Sequence, residues 1–284
     1  MSFRNRHQDG NSLTKRHRPV TKRQQTRMGA LDDGDSLAQE DGMQQVAVVT
    51  GGGSGLGREM AHALAAAGFG VTVTGRTEDK LRETAESAPA EVRTAVLDVA
   101  DGSAVAAFFG TLDRIDVLVN NAGTGAPAAA VQDVSEQDWR RVVDTNLTGS
   151  FLCAQAAFAL MLRQDPKGGR IINNGSISAH VPRPQGIAYT ASKHAITGLT
   201  KGLELEGRAH GITATQIDIG NAATPMTERM GQGVLQPNGS IAVEPTFDPK
   251  IVADFVVRIA QLPVDVAVPT LTVMAAGMPY VGRG

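Results

Sequence analysis

The sequence predicts a single-domain, doubly wound α/β fold with a seven-stranded, mainly parallel sheet, and three observations predict it. The run Gln45-Val-Ala-Val-Val-Thr50 is apolar and β-branched, and a glycine-rich segment and a helix-compatible run follow it at once. Strand-like and helix-like segments alternate from there onward, as they do when helices cover both faces of a parallel sheet. The composition is 42% hydrophobic with only 4% aromatic residues, which suits a core of Val, Ala, Ile and Leu. Roughly 240 residues after position 42 suffice for one large domain.

The elements follow in order. Residues 45–50 read as a buried strand because the apolar run is continuous rather than alternating. Residues 58–67, from Arg58 through a run of alanines, read as helix. Gly70-Val-Thr-Val-Thr74 reads as strand two, residues 92–97 as strand three and residues 116–120 as strand four. A long helical stretch covers about 136–163. Residues 170–174 form strand five, 189–210 a helix, 212–217 strand six, 248–261 the last long helix and 266–274 the seventh strand. No internal repeat or second domain is visible.

Between the first strand and helix lies Gly51-Gly-Gly-Ser54-Gly55-Leu56-Gly57, preceded by Thr50. Glycines let backbone amides approach a pyrophosphate, and the helix N-terminus adds a favourable dipole. Strand, glycine turn and helix together predict a dinucleotide cradle. The base-sugar selector lies at the end of strand two, where an acidic residue holds the ribose hydroxyls of NAD and a basic one suits the 2′-phosphate of NADP. Here the acidic position is Gly75 and Arg76 follows it. A guanidinium forks onto phosphate, so NADP(H) is favoured and NAD(H) stays open.

Tyr189 stands four positions before Lys193 in a helix-compatible run, so both side chains lie on one helix face. A phenol of pKa ~10 is a poor proton donor or acceptor at neutral pH. A unit charge ~4 Å away is worth up to ~4 kcal/mol at an effective dielectric of ~20, which would lower the phenol by up to roughly three units. Such a pair suits proton transfer in alcohol and carbonyl chemistry.

Thr50-Gly51-x-x-x-Gly55-x-Gly57, Asn120-Asn121-Ala122-Gly123, Asn146, Ser176 and Tyr189-x-x-x-Lys193 occur in this order. Together they resemble the short-chain dehydrogenase/reductase family, over residues 43 to 281. The resemblance implies a Rossmann fold and an NAD(P)-dependent oxidoreductase acting on a small-molecule alcohol or carbonyl compound, whether ketone, aldehyde or hydroxy acid. It implies that Tyr189 transfers the proton and that Lys193 lowers the phenol pKa and bonds the nicotinamide ribose. Ser176, thirteen residues before Tyr189, would polarise the substrate oxygen, with Ser178 as the rival. Asn146 would kink its helix and hold a water beside Lys193. Cofactor contacts are expected from Thr50, Gly51, Ser54, Gly55, Leu56, Gly57 and Arg76, then from Asp98 and Val99 at the adenine edge. Asn121, Ala122, Gly123, Tyr189, Lys193, Gly220 and Thr224 complete that set. Asp98 is equally suited to cap its own turn, and Asn121 to a structural role. Ile219 replaces the family's usual proline before Gly220, which puts the shape of that loop in question.

Ser178, His180 and Met226 are candidates for substrate contact. Residues 225–247, rich in Gly, Pro and Met, read as a mobile lid. Arg183 reads either as a receptor for an acidic substrate or as a solvent-facing side chain. His180 and His194 have no spaced partners that suggest a metal, so none is expected. In the family the helices carrying Asn146 and Tyr189 pair between subunits, which implies a homotetramer or homodimer.

Cys153 is the only cysteine, so no intrachain disulfide is possible. No uninterrupted apolar run reaches the ~18 residues of a membrane span, and the chain reads as cytoplasmic. Residues 1–30 hold eight Lys or Arg against one Asp, leaving 19 basic and 28 acidic residues in the rest of the chain. Residues 1–42 read as a disordered basic extension ahead of a catalytic domain spanning 43–284. A nucleic-acid partner is not expected, because the domain itself is acidic.

Overall fold

A computed structural model describes residues 43–281, so the expected N-terminal extension lies outside the described residues. The first strand, β1 (Val46–Thr50), leads through the glycine turn into α1 (Gly55–Ala66), then β2 (Gly70–Gly75), α2 (Glu78–Glu86), β3 (Val92–Val96) and α3 (Gly102–Gly110). The chain then returns to the other side of β1 with β4 (Val117–Asn120). Helices α4 (Glu136–Val143) and α5 (Gly149–Arg163) precede β5 (Gly169–Asn174), α6 (Ile187–Gly207) and β6 (Ile212–Ile219). A small hairpin of β7 (Val234–Leu235) and β8 (Ile241–Ala242), then α7 (Lys250–Ala260) and β9 (Thr270–Val273), complete the described elements.

The main sheet has the order β3-β2-β1-β4-β5-β6-β9, and all six pairings are parallel. This is the expected Rossmann-type architecture. The direction of winding reverses between β1 and β4, the place where such sheets open a ligand crevice at their carboxyl ends.

Alternation within single strands builds a core on each face of the sheet. Ala47 and Val49 pack with Val71, Val73 and Val119 beneath α1 and α7. Val48, between them, faces the opposite layer with Leu118 and Ile171, under Val105 and Phe109 of α3 and Ala157 and Met161 of α5. Polar residues also cross the interior in a connected line. Asn120 donates to Asn173 Oδ1 and to the Ser150 carbonyl, each at 3.0 Å, and Asn173 donates to Thr200 Oγ1 at 2.9 Å. This line ties β4 and β5 to α5 and α6.

Local chemistry sets several boundaries. Asp101 caps α3 by accepting from the Ser103 and Ala104 amides, and Ser135 caps α4 by accepting from Asp138. The seventh strand is shorter than expected, starting at Thr270 rather than 266. Residues 262–266 turn instead, because buried Arg170 draws in the carbonyls of Leu262, Pro263 and Val266. Strand β6 is longer than expected. Ile219 pairs with Val273 and the Gly220 amide donates to the Val273 carbonyl at 2.8 Å, so the strand runs straight up to the loop.

The expected helix over 136–163 is interrupted by a π-helical turn, Asp144–Thr148, with buried Asn146 at its centre. By length and composition Glu136–Arg163 is the one described segment able to cross a membrane. Counting only uninterrupted apolar residues does not detect it. In the fold, Cys153, Ala154, Ala157, Leu160 and Met161 of this segment are buried in the protein's own core. Burial pushes the Cys153 thiol up to about 12, which leaves it an inert core residue.

Candidate active site

Two adjoining cavities, of about 370 and 290 Å³, open at the carboxyl ends of the strands and share Leu56, Asn121, Gly123, Asn174, Thr224 and Met226. The smaller one is built on the glycine turn. Gly51 has φ +64°, and a Cβ there would lie 2.8 Å from the Ala122 Cα. A Cβ at Gly57 would lie 2.3 Å from the Gly51 carbonyl oxygen. These glycines therefore allow the turn, the first helix and the strand four exit to close on one another. The Thr50 hydroxyl accepts from the amides of Asn121 and Ala122, both at 3.0 Å. The Asn121 side chain donates to the carbonyls of Thr50 and Gly51 and accepts from Asn174 at 2.8 Å. Asn121 is thus a tie between the turn and β5.

Ser54 occupies the N-cap of α1, yet its hydroxyl makes no capping bond. Gly53, Ser54, Gly55, Leu56 and Gly57 line the cavity. A helix start with no side-chain cap, and a glycine turn that a Cβ at Gly51 or Gly57 would obstruct, fits a pyrophosphate group. Arg76 is exposed on the rim just beyond β2, and Asp98 and Val99 line the same cavity. Asp98 also caps its own turn, accepting from the Ala100 amide at 3.0 Å. Thr224 lines both cavities, and a Cβ on Gly220 would lie 2.7 Å from Met274 and Met278.

Ser176, Tyr189 and Lys193 converge on the larger cavity. Ser176 is held at both ends: its amide donates to Asp218 at 3.1 Å, and its hydroxyl accepts from the Ser178 amide at 3.1 Å. The Ser176 side chain also favours the ionised form of the Tyr189 phenol. Burial raises the phenol above its usual pKa, opposed by the Ser176 side chain and the Arg183 charge. The expected depression of the phenol by Lys193 is therefore corrected. The ammonium lies 5.6 Å from the ring centroid and donates to the Asn174 carbonyl at 2.6 Å. Burial lowers Lys193 itself to about 8, with the Asp218 charge pulling the other way.

Asn146 sits in the π-helical turn, where its side chain accepts from the Thr124 amide at 2.7 Å and donates to the Thr124 carbonyl and to Ser192 Oγ. Its own carbonyl accepts from the Ser150 hydroxyl. Ser178 and Met226 line the larger cavity. His180 is a correction: it is absent from that lining, and its ring nitrogen lies 2.7 Å from buried Asp218. Arg183 is neither solvent-facing nor open, because it forks onto Glu244 at 2.8 and 2.6 Å. Residues 225–247 contain a 3₁₀ turn, Pro225–Gly231, and the β7–β8 hairpin.

Sequence reasoning missed Asp218, Asn221, Gln236 and Glu244. Asp218 had a readable signal, since a carboxylate between Ile217 and Ile219 is foreign to a buried parallel strand. Glu244 had none, because its partner Arg183 lies 61 positions away.

Fold and cleft together define a dinucleotide-dependent oxidoreductase of the doubly wound class. Residues 45–234 match the family model described as short chain dehydrogenase, and the chain belongs to the short-chain dehydrogenase/reductase family of NAD(P)-dependent alcohol dehydrogenases and reductases. It is 33% identical over 239 residues to sulfoacetaldehyde reductase 2 of Chromohalobacter salexigens, spanning 82% of this chain and 94% of the relative. Among solved structures it resembles acetoin dehydrogenase YohF of Salmonella typhimurium, with 34% identity and a TM-score of 0.70 over 82% of this chain and 96% of that one. It also resembles an alcohol dehydrogenase from Thermococcus sibiricus complexed with 5-hydroxy-NADP. That match has 25% identity and a TM-score of 0.69 over 81% of this chain and 96% of the other.

Proposed function

We propose that this protein is an NADP(H)-preferring dehydrogenase or reductase that interconverts a small-molecule carbonyl compound and its alcohol. One observation carries the reading: Ser176, Tyr189 and Lys193 share a cavity that is continuous with the glycine-turn cavity. Gly51, Ser54, Gly55, Leu56 and Gly57 would hold the pyrophosphate. Arg76 would take the 2′-phosphate, and Asp98, Val99, Ala122 and Gly123 would line the adenosine. Gly220 and Thr224 would border the nicotinamide, which when bound supplies or accepts the hydride.

The chain's own residues manage position and protons. Ser176 orients the substrate oxygen. Tyr189, held protonated at neutral pH by burial, gives its proton to that oxygen as the carbonyl carbon is reduced, so the product is the alcohol. Lys193, with a pKa near 8, is poised to return a proton to the phenol side of the site. Asn146 fixes the wall behind it through Thr124 and Ser192. Arg76, with Gly75 beside it where an acid would favour NAD, supports NADP(H), in line with the NADP derivative on the Thermococcus relative.

The deciding experiment is a fluorescence titration with NADPH and NADH in parallel, repeated on Arg76→Asp. Tighter NADPH binding that weakens in the variant supports the reading. An unchanged ratio removes Arg76 as selector, and binding of neither cofactor refutes the reading. The protein is further read as a cytoplasmic homodimer or homotetramer. Exposed Trp139, Phe151 and Leu205 on α4, α5 and α6 support that assembly, which light scattering tests.

A further inference from the structure

Beyond the phenol, the wall of the larger cavity is mostly apolar, with Ile177, Met226, Met230, Val234 and Leu235 contributing. Among the described residues lining it, two are cations, Lys193 and Arg183. Lys193 already donates to the Asn174 carbonyl. Arg183 is the one placed to receive an anion, and its charge is felt at the phenol. Its fork is nevertheless committed. Nη1 and Nη2 donate to the two oxygens of Glu244 at 2.8 and 2.6 Å, and Nη2 donates again to Asn221 Oδ1 at 3.0 Å.

Glu244 is as firmly engaged. Its side chain is 1% exposed against 16% for Arg183. It also accepts from Asn221 at 2.8 Å and from Gln236 at 3.0 Å. These donors outweigh the effect of burial and hold its carboxyl at about 2, so it stays ionised throughout the neutral range. A substrate carboxylate or sulfonate at Arg183 would meet a guanidinium with three of its five N–H donors already taken and an ionised, buried carboxylate beside it. Two anions would then share one guanidinium.

We propose that this site takes an uncharged carbonyl compound or alcohol with an apolar body, and that the Arg183–Glu244 fork excludes anionic substrates instead of receiving them. The inference rests on the oxidoreductase reading above and narrows its substrate class. The fork also joins the wall at residues 181–184 to the segment after β8, so it shapes the far side of the cavity while neutralising it.

The test compares matched pairs with NADPH: three aryl 2-oxo acids against their methyl esters, read as kcat/KM. The wild type is expected to favour each ester at least about tenfold, or ~1.4 kcal/mol. Glu244→Gln frees the guanidinium and is expected to shrink that ratio by improving the acids. Equal or better use of the acids by the wild type overturns the proposal while leaving the oxidoreductase reading intact. Should Glu244→Gln not fold, inhibition of the wild type by an arylacetate and its amide decides the matter. Tighter competition by the amide supports the proposal and tighter competition by the acid overturns it. Turnover of neither member of any pair, with NADPH still bound, overturns the proposed substrate class while leaving the oxidoreductase reading intact.

Discussion

The backbone amide of Ser176 donates a 3.1 Å hydrogen bond to the carboxylate of Asp218, a residue with no exposed surface. The same carboxylate accepts from Gln216 at 2.7 Å and lies 2.7 Å from the His180 ring. One buried anion therefore shapes the whole 175–180 turn. Asp218→Ala strands these donors inside the protein and is expected to cost about 3 kcal/mol or more in urea unfolding. Asp218→Asn keeps the volume and is expected to cost less. A loss below about 1 kcal/mol for the alanine variant would mean that the donors find other partners.

Tyr189→Phe removes the phenolic oxygen and leaves the ring. Turnover is expected to fall by about 10²–10⁴-fold with NADPH affinity unchanged. In the wild type, burial keeps the phenol protonated beyond its usual range, so the reductive rate is expected to hold through neutral pH and fall only in alkali. Steady-state rates across pH, with a parallel cofactor titration, check both statements.

Lys193 carries a destabilising charge. Its folded-state pKa of about 8 lies below the ordinary 10.5. The unfolded chain thus holds more protons between those values, and stability rises with pH across that window. Lys193→Met is expected to melt higher than the wild type near pH 7 in the absence of cofactor. The gap should close between pH 8 and 10.5 as the wild-type lysine loses its proton. A gap independent of pH in thermal melts would contradict the assignment.

Gly57→Ala drives a methyl group against the Gly51 carbonyl. The turn must open, with an expected loss of about 1–3 kcal/mol and a clear weakening of NADPH binding. Gly102→Ala is the control, because its nearest neighbours are Leu152 methyls at 3.7 Å. That change is expected to be neutral or to stabilise α3 by up to about 1 kcal/mol. Equal behaviour of the two variants would show that the turn tolerates side chains.

The sheet was legible because the continuous apolar run of Ala47, Val48 and Val49 and the glycine turn after Thr50 are both local signals. The pairing of Tyr189 and Lys193 in one cavity was legible for a similar reason, since spacing on one helix is written in the chain, whereas Ser176, which precedes that helix, is placed there by the family resemblance. What escaped reading depends on partners far apart in sequence. Arg170 turns residues 262–266 away from β9, and Glu244 claims Arg183 across 61 positions. The state of the phenol lies beyond spacing, which places a charge near a group but does not give the burial of the pair. Lys193 is aimed at the Asn174 carbonyl, and burial decides the outcome.

The π-helical turn at Asp144–Thr148 holds one residue more than an α-helical turn would. Deleting a single residue there would regularise the helix without rotating α5, since the bulge alone absorbs the extra position. Val142 on one side and Cys153 on the other would keep their places in the core. Asn146 would lose its grip on Thr124 and Ser192. A one-codon deletion would thus strike the back wall of the cleft while leaving the core register of α4 and α5 in place.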